Sequence, residues 1–371
     1  MDRRIYQIAP TFINGLGCRG YRQLLEIYPD PEAVFNLSHK ELVELFTTHT
    51  NIIGSIESGE CLHRAQKELE FIDRYHIRVL FCQNEDYPQR LNRKECSDTP
   101  PVLYLRGNYT PNQPRTVAIV GTRRASDYGK EITHQIVSEM HEDGITIVSG
   151  LAYGIDTAAH KNAVECGLDT VGVLGHGLDH IYPAQNRELA KKMMEQGALM
   201  TEYPSETAVA PGNFPARNRI IAALADAVIV VEAAEKGGAL ITAGIANGYQ
   251  RDVFAVPGRL SDRYSVGCNN LIATNKANIL RNAKDLFEQM GWQMKGCQSI
   301  GRQQELFAMP QGDTLAISEL LQREEGLTLD EISERMGLSM PKVAALLLDM
   351  ELDGFVKCLP GKRYYVAKFQ N

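Results

Sequence analysis

Six short apolar runs constrain this chain more than any other feature: "TVAIVG" (116–121), "ITIVSG" (145–150), "TVGVLG" (170–175), "ALMTE" (198–202), "AVIVV" (227–231) and "VFAVPG" (253–258). Their Val and Ile residues are continuous rather than alternating, which suits strands covered on both faces. Most stop at a glycine, and amphipathic stretches separate them. That pattern predicts a parallel sheet with helices packed on each side. Open sheets of this kind collect ligands outside the carboxyl ends of their strands. The residues just after each run are therefore the candidates for function.

The flanks read differently. Residues 1 to about 110 carry helical apolar spacing, as in "YRQLLEIY" and "KELVELF". They are expected to form a helical domain of the helix-hairpin-helix or SAM-like kind. "DTPPVLYLRGNYTPNQP" (98–114), with four prolines, marks a boundary, and the sheet domain is expected over 115–290. A polar stretch, "MKGCQSIGRQQ", precedes a last unit at 311–371, where three helical segments and "FVKCLPGKRYYVA" suggest a winged-helix-like domain. That unit holds seven Lys/Arg against ten Asp/Glu, so a contact with protein or simple domain packing is expected of it rather than groove docking.

Composition narrows the function. No stretch reaches the roughly 18 apolar residues of a membrane span, and "MDRRIYQIAP" has no apolar signal core, so a cytoplasmic protein is expected. The eight cysteines form no C-x-x-C pair, which argues against a zinc knuckle or a disulfide framework. A net charge of −7 speaks against nucleic-acid binding over the whole surface but leaves room for a local basic groove.

At the strand ends, "VAIVGTRRASDYG" (117–129) places Gly121, Thr122, Arg123 and Arg124 between a strand and a helix start, a setting that favours phosphate. "SGLAYGIDTAAH" (149–160) repeats that geometry with Gly150 and Gly154; Asp156 either caps the helix or orients an arginine, and His160 is packing. "LGHGLDHIYPAQNREL" (174–189) contributes Tyr182 and Asn186; His176 and His180 lack a third metal ligand and straddle a glycine. "NFPARNRIIAALAD" (213–226) offers Phe214, Arg217, Asn218 and Arg219, with Asn213 as N-cap and Pro215 in the first turn. "EKGGALITAGIA" (235–246) adds Gly237, Gly238 and Thr242.

Several chemistries lack their residues. "GLGCRG" (15–20) matches a dinucleotide fingerprint literally, but no strand precedes it, so a turn between helices is expected. The chain has no G-K-[ST] loop, no G-x-S-x-G elbow and no H-E-x-x-H. Asp226 and Glu232 bracket a buried strand, which suits the fold better than acid–base work. A binding protein without cofactor or metal is expected rather than an enzyme. The rival reading is a nucleotide or nucleoside-phosphate hydrolase, with Asp156 or Glu232 as its faint acid.

Taken in order, "VAIVGTRRASDYG", "SGLAYGIDTAAH", "GLDHIYPAQN", "GNFPARNRIIA", "GGALITA" and "VFAVPG" resemble the DNA-processing protein A (DprA, or Smf) family over roughly residues 115–275. The resemblance implies an α/β, Rossmann-like, doubly wound and mostly parallel domain that binds single-stranded DNA. It further implies homodimers that protect incoming strands in natural transformation, help load the RecA recombinase, and carry out no catalysis. The family usually has Ser-Gly-Ser where this chain reads "GGAL", and Gly-Ala where it reads "TNKAN". Asn275 can still supply a left-handed turn, and Lys276 is a candidate charge for the groove. The expected mechanism has Arg123, Arg217 and Arg219 converging on phosphates while Phe214 and Tyr182 stack bases.

Overall fold

The structure, a computed structural model, describes residues 2–47, 49–141, 144–293, 312–324, 326–352, 355–359 and 363–366. It divides into two compact units, Met1–Lys295 and Gly296–Asn371. The polar stretch that begins at residue 294 lies outside the described residues.

The first unit opens with six helices: α1 (Arg3–Ile8), α2 (Gly17–Ile27), α3 (Glu32–Phe35), α4 (His39–Phe46), α5 (Thr50–Glu57) and α6 (Glu60–Arg74). Ser38 and Glu41 close a capping box on α4, each side chain satisfying a backbone N–H of the other's residue. "GLGCRG" forms a turn into α2, with Gly15 and Gly17 both at positive φ. Two strands follow, β1 (Arg78–Phe81) and β2 (Val102–Gly107).

The six apolar runs then form β3 (Arg115–Val120), β4 (Ile145–Ser149), β5 (Thr170–Val173), β6 (Ala198–Thr201), β7 (Ala227–Val230) and β8 (Asp252–Ala255). Between and after them come α7 (Asp127–Glu139), α8 (Ile155–Glu165), α9 (Arg187–Gln196), α10 (Asn213–Leu224), α11 (Gly238–Gly248), α12 (Val266–Ala273), the short β9 (Asn278–Ile279) and α13 (Ala283–Met290). The nine strands lie in the order β1-β2-β6-β5-β4-β3-β7-β8-β9, parallel from β6 to β9 and antiparallel at β1 and β2.

Alternation along the central strand builds both faces. Val117 and Ile119 pack with Ile136, Ile155 and Ala159 of α7 and α8, while Ala118 and Val120 pack with Ile220, Ile221 and Ala243 of α10 and α11. Strand order reverses at β3: the chain steps from β3 through β6 on one side, then crosses back to β7 on the other. That reversal leaves a crevice between the loops after β3 and β7.

The expected boundary near residue 110 is corrected. β2 pairs with β6, Tyr104 opposite Thr201 and Leu105 opposite Met200, so residues 78–107 belong to the central sheet. Val102 and Tyr104 turn one face of that strand toward the front helices, joining Ile8, Leu69 and Ile72 in one core. Leu103 and Leu105 turn the other face into the core beneath α10.

In the second unit, α14 (Asp313–Arg323), α15 (Leu329–Met336) and α16 (Met340–Leu352) accompany β10 (Leu327–Thr328), β11 (Val356–Leu359) and β12 (Arg363–Val366). The strands run β10-β12-β11, and Ile317, Ile332, Leu347 and Val356 form the core. The two-strand wing read from the sequence thus gains a third strand, too short to stand out.

His160 of α8 is fully buried, its Nδ1 2.7 Å from the Thr170 hydroxyl of β5. Burial, reinforced by the nearby charge of Arg217, pulls its pKa down to about 3. The unfolded chain therefore binds a proton that the folded chain refuses between about pH 6.5 and pH 3. Stability should fall as pH falls through that window, at up to about 1.4 kcal/mol per pH unit from this residue. Urea unfolding across that range should show a shallower pH dependence in His160→Asn than in the natural chain; equal slopes contradict the assignment.

Candidate functional site

A cleft of about 730 Å³ opens at the point where strand order reverses. Its walls come from the loop after β3 (Gly121, Thr122, Arg123), the first turns of α10 (Phe214, Asn218) and the loop from Ala233 into α11. Glu232, itself buried, accepts from the Ser126 backbone N–H at 2.9 Å and from its hydroxyl at 2.5 Å. The Thr122 N–H donates to the Glu232 carbonyl at 2.7 Å. The 122–126 ridge is therefore fixed to the end of β7 from two directions. This accounts for Glu232 as a structural acid, in keeping with its sequence reading.

Arg217 lies at the cleft floor and is 3% exposed. Its guanidinium donates to the carbonyls of Gly150, at 2.6 Å, and Val173, gathering the ends of β4 and β5. Burial pulls its pKa down to about 10, opposed by the charge of Asp156, so it stays protonated at neutral pH. Asp156 accepts from the N–H groups of Gly150 (3.1 Å) and Ala152 (3.4 Å); burial pushes its carboxyl up and Arg217 opposes that. Both backbone polar groups of Gly150, its N–H and its carbonyl, are thus held by this pair. A Cβ on Gly150 would sit 2.4 Å from the Arg217 guanidinium, which explains the glycine without any ligand.

Arg123 is different. Its side chain is exposed, its guanidinium sits 5.2 Å over the Phe214 ring, and no carboxylate among the described residues pairs with it. Phe214 in turn lies 5.9 Å from the Tyr182 ring, which is 42% exposed at the rim. Across the cleft, Gly237 leaves open space where a side chain would stand, and a Cβ on Gly238 would meet only the Asn218 amide, at 3.8 Å. Above them the first-turn N–H groups of α11 have no intrahelical acceptor. The Asn218 amide reaches the Gly238 carbonyl at 3.4 Å, and Thr242 donates back to the same carbonyl at 3.1 Å. Lys236 completes this wall; the sequence reading passed over it, although "EKGG" sets it directly before the helix start.

Four expected site residues stand elsewhere. Arg219 pairs with Glu202 at 2.5 Å, with side-chain exposures of 15% and 11%, beside Cys18 of α2. Residues two apart on a helix point to nearly opposite sides, so Arg217 and Arg219 cannot serve one groove. Asn186 is buried, donating to the Leu151 carbonyl and the Thr157 hydroxyl, both at 2.9 Å. Gly154, at φ +79°, lets the chain pass the Thr122 carbonyl rather than a ligand, since a Cβ there would meet that oxygen at 2.2 Å. Lys276 follows Asn275, which does take the left-handed turn at φ +53°. That turn precedes β9 and so lies at the amino end of the parallel strands, away from the cleft. One smaller shift is local: Asn213 is the first residue of α10, and Gly212 takes the N-cap position.

These features define a doubly wound α/β protein whose topological switch point opens a cleft lined by Arg123, Phe214 and Lys236, with one exposed acid, Glu235, beside the lysine. Sequence comparison gives the family. Residues 78–291 match the model for DNA recombination-mediator protein A, and residues 308–362 match the DprA winged helix domain. The chain belongs to this DprA family. It is 38% identical to protein Smf of Synechocystis over 311 residues, covering 75% of this chain and 77% of the relative. It is 40% identical to the DNA processing protein DprA of Bacillus subtilis over 215 residues, covering 58% and 71%. The X-ray structure of DprA from Streptococcus pneumoniae superposes with a TM-score of 0.64 at 29% identity, covering 80% of this chain and all of that one. A solved structure of Helicobacter pylori DprA, described for its single-stranded DNA binding mode, gives 0.52 at 31% identity over 58% of this chain and 96% of that one.

The two kinds of arginine separate by stability. Arg219→Ala leaves the Glu202 carboxylate buried without its partner and should cost about 3–5 kcal/mol. Arg123→Ala removes an exposed side chain and should change stability by less than about 0.5 kcal/mol. Thermal unfolding of the two variants checks this, and equal losses contradict the assignment.

Proposed function

We propose that this chain binds single-stranded DNA in the cleft, without strong sequence preference. The observation that carries this reading is the exposed Arg123 guanidinium, paired with no carboxylate among the described residues and layered on Phe214, opposite the open first turn of α11. Guanidinium, Lys236 and the helix N–H groups supply phosphate contacts. Phe214 and Tyr182 supply stacking faces, which suit any base. None of these groups reads a base edge. The described binding of single strands by the Helicobacter pylori relative supports the same choice of ligand.

From family membership we further propose that the protein acts in natural transformation, protecting incoming strands and helping to load RecA. It would do so in the cytoplasm as a homodimer and without a chemical step. The hydrolase alternative draws no support from its two candidate acids. Asp156 is occupied by the Gly150 and Ala152 N–H groups, and Glu232 by Ser126.

Fluorescence anisotropy with an oligothymidylate, competed by duplex DNA and by a mononucleotide, tests the reading. The single strand should compete best. Arg123→Ala should weaken binding and make the slope of log affinity against log salt shallower by about 0.7. Phe214→Ala should lose about 1–3 kcal/mol with little change in that slope. Single-strand affinity unchanged in both variants contradicts the reading; preferential competition by the mononucleotide favours the hydrolase.

A further inference from the structure

A second cleft of about 610 Å³ lies on the other side of the 122–126 ridge, lined by Ser126 and Tyr128 at the start of α7 and by Pro257, Gly258, Arg259, Asp262 and Ser265. We propose that it is a second nucleotide subsite, so that one strand crosses the ridge and occupies both clefts. This inference rests on the single-strand reading of the first cleft.

The second cleft repeats the chemistry of the first with different residues. Arg259 is exposed, and no carboxylate among the described residues pairs with its guanidinium. Tyr128 is 45% exposed, yet its hydroxyl donates to the Pro257 carbonyl at 3.0 Å. The ring is therefore tethered while the residue stays open to solvent, and stacking a base needs such an exposed ring. Of the nearby acids, Asp127 pairs with Lys130 at 2.9 Å, and Asp262 accepts from the Tyr264 N–H at 3.3 Å within its own turn. Arg124, exposed on the ridge between the clefts, adds a positive charge along the path.

The walls are rigid. The Asn269 amide clamps Gly258 at both ends, accepting from its N–H at 3.2 Å and donating to its carbonyl at 3.0 Å. A Cβ on Gly258 would lie 1.9 Å from the Ser265 hydroxyl, so this wall closes only around glycine. Tyr264 and Gly267 bond the backbone of Ala233 at 2.7 and 2.8 Å, stitching the wall of this cleft to the wall of the first. Arg123 in the first cleft and Ser126 in the second are three residues apart, at most about 11 Å along the chain. At the roughly 3.4 Å axial rise per nucleotide of a stacked strand, about three nucleotides cover that distance. Two weak sites joined by one strand reinforce each other through effective concentration.

Strand length tests this. Anisotropy of the full chain with oligothymidylates of about 2 nucleotides, too short to reach both clefts, and of about 10 nucleotides gives the affinity gained on lengthening, which a second subsite sets at about tenfold or more. Arg259→Glu and Tyr128→Leu should each remove most of that gain, Arg259→Lys should restore it, and Arg123→Ala should lower affinity at both lengths. If Arg123→Ala weakens binding while Arg259→Glu and Tyr128→Leu leave the gain intact, the second subsite is overturned and the first cleft stands. If none of the variants changes affinity at either length, both proposals fall.

Discussion

The fold around the cleft depends on one buried charge. Arg217 enters the interior from α10 and bonds the carbonyls that end β4 and β5, while Asp156 takes the N–H of the same Gly150. A guanidinium and a carboxylate are costly to desolvate, and hydrogen bonds to fixed backbone groups offset that cost. Glu232 does the same for the ridge between the two clefts, through Ser126. Three loops that would otherwise move independently are thereby set at fixed spacings. Preorganisation of this kind lowers the entropy lost when a flexible polyanion is bound.

A division of labour among cations follows. Charges that hold the fold are buried or half-buried and occupied: Arg217 by carbonyls, Arg219 by Glu202, and Arg90 by Asp226 at 2.7 Å. Arg123, Lys236 and Arg259 face solvent at the carboxyl edge of the sheet. An overall charge of −7 is compatible with this, since screening keeps each surface charge local.

The central strands were legible because each is buried on both faces and so is written as a short run of apolar residues, mostly Val and Ile but Ala-Leu-Met in β6. β1 and β2 were not: they sit at the antiparallel edge, and "PPVLYLRG" is flanked by prolines that read as a boundary. The wall residues Arg123, Phe214, Asn218, Gly237 and Gly238 were also legible, because strand ends are where such a sheet concentrates its ligands. Arg219 was misplaced for a reason visible in the sequence, its spacing of two from Arg217. Lys276 was misplaced because a turn before a parallel strand lies at the opposite rim from a turn after one. Asn186 and Gly150 carried no such signal. Only three-dimensional packing distinguishes a polar residue that holds a loop from one that meets a ligand.

Phosphate should meet the guanidinium of Arg123 and not that of Arg217. A crystal structure of the protein with a short oligothymidylate tests this most directly. It should place a phosphate within hydrogen-bonding distance of Arg123 and a base against Phe214, with Arg217 still bonded to Gly150 and Val173. A strand bound away from that cleft, or an Arg217 side chain swung out to hold phosphate itself, contradicts the account.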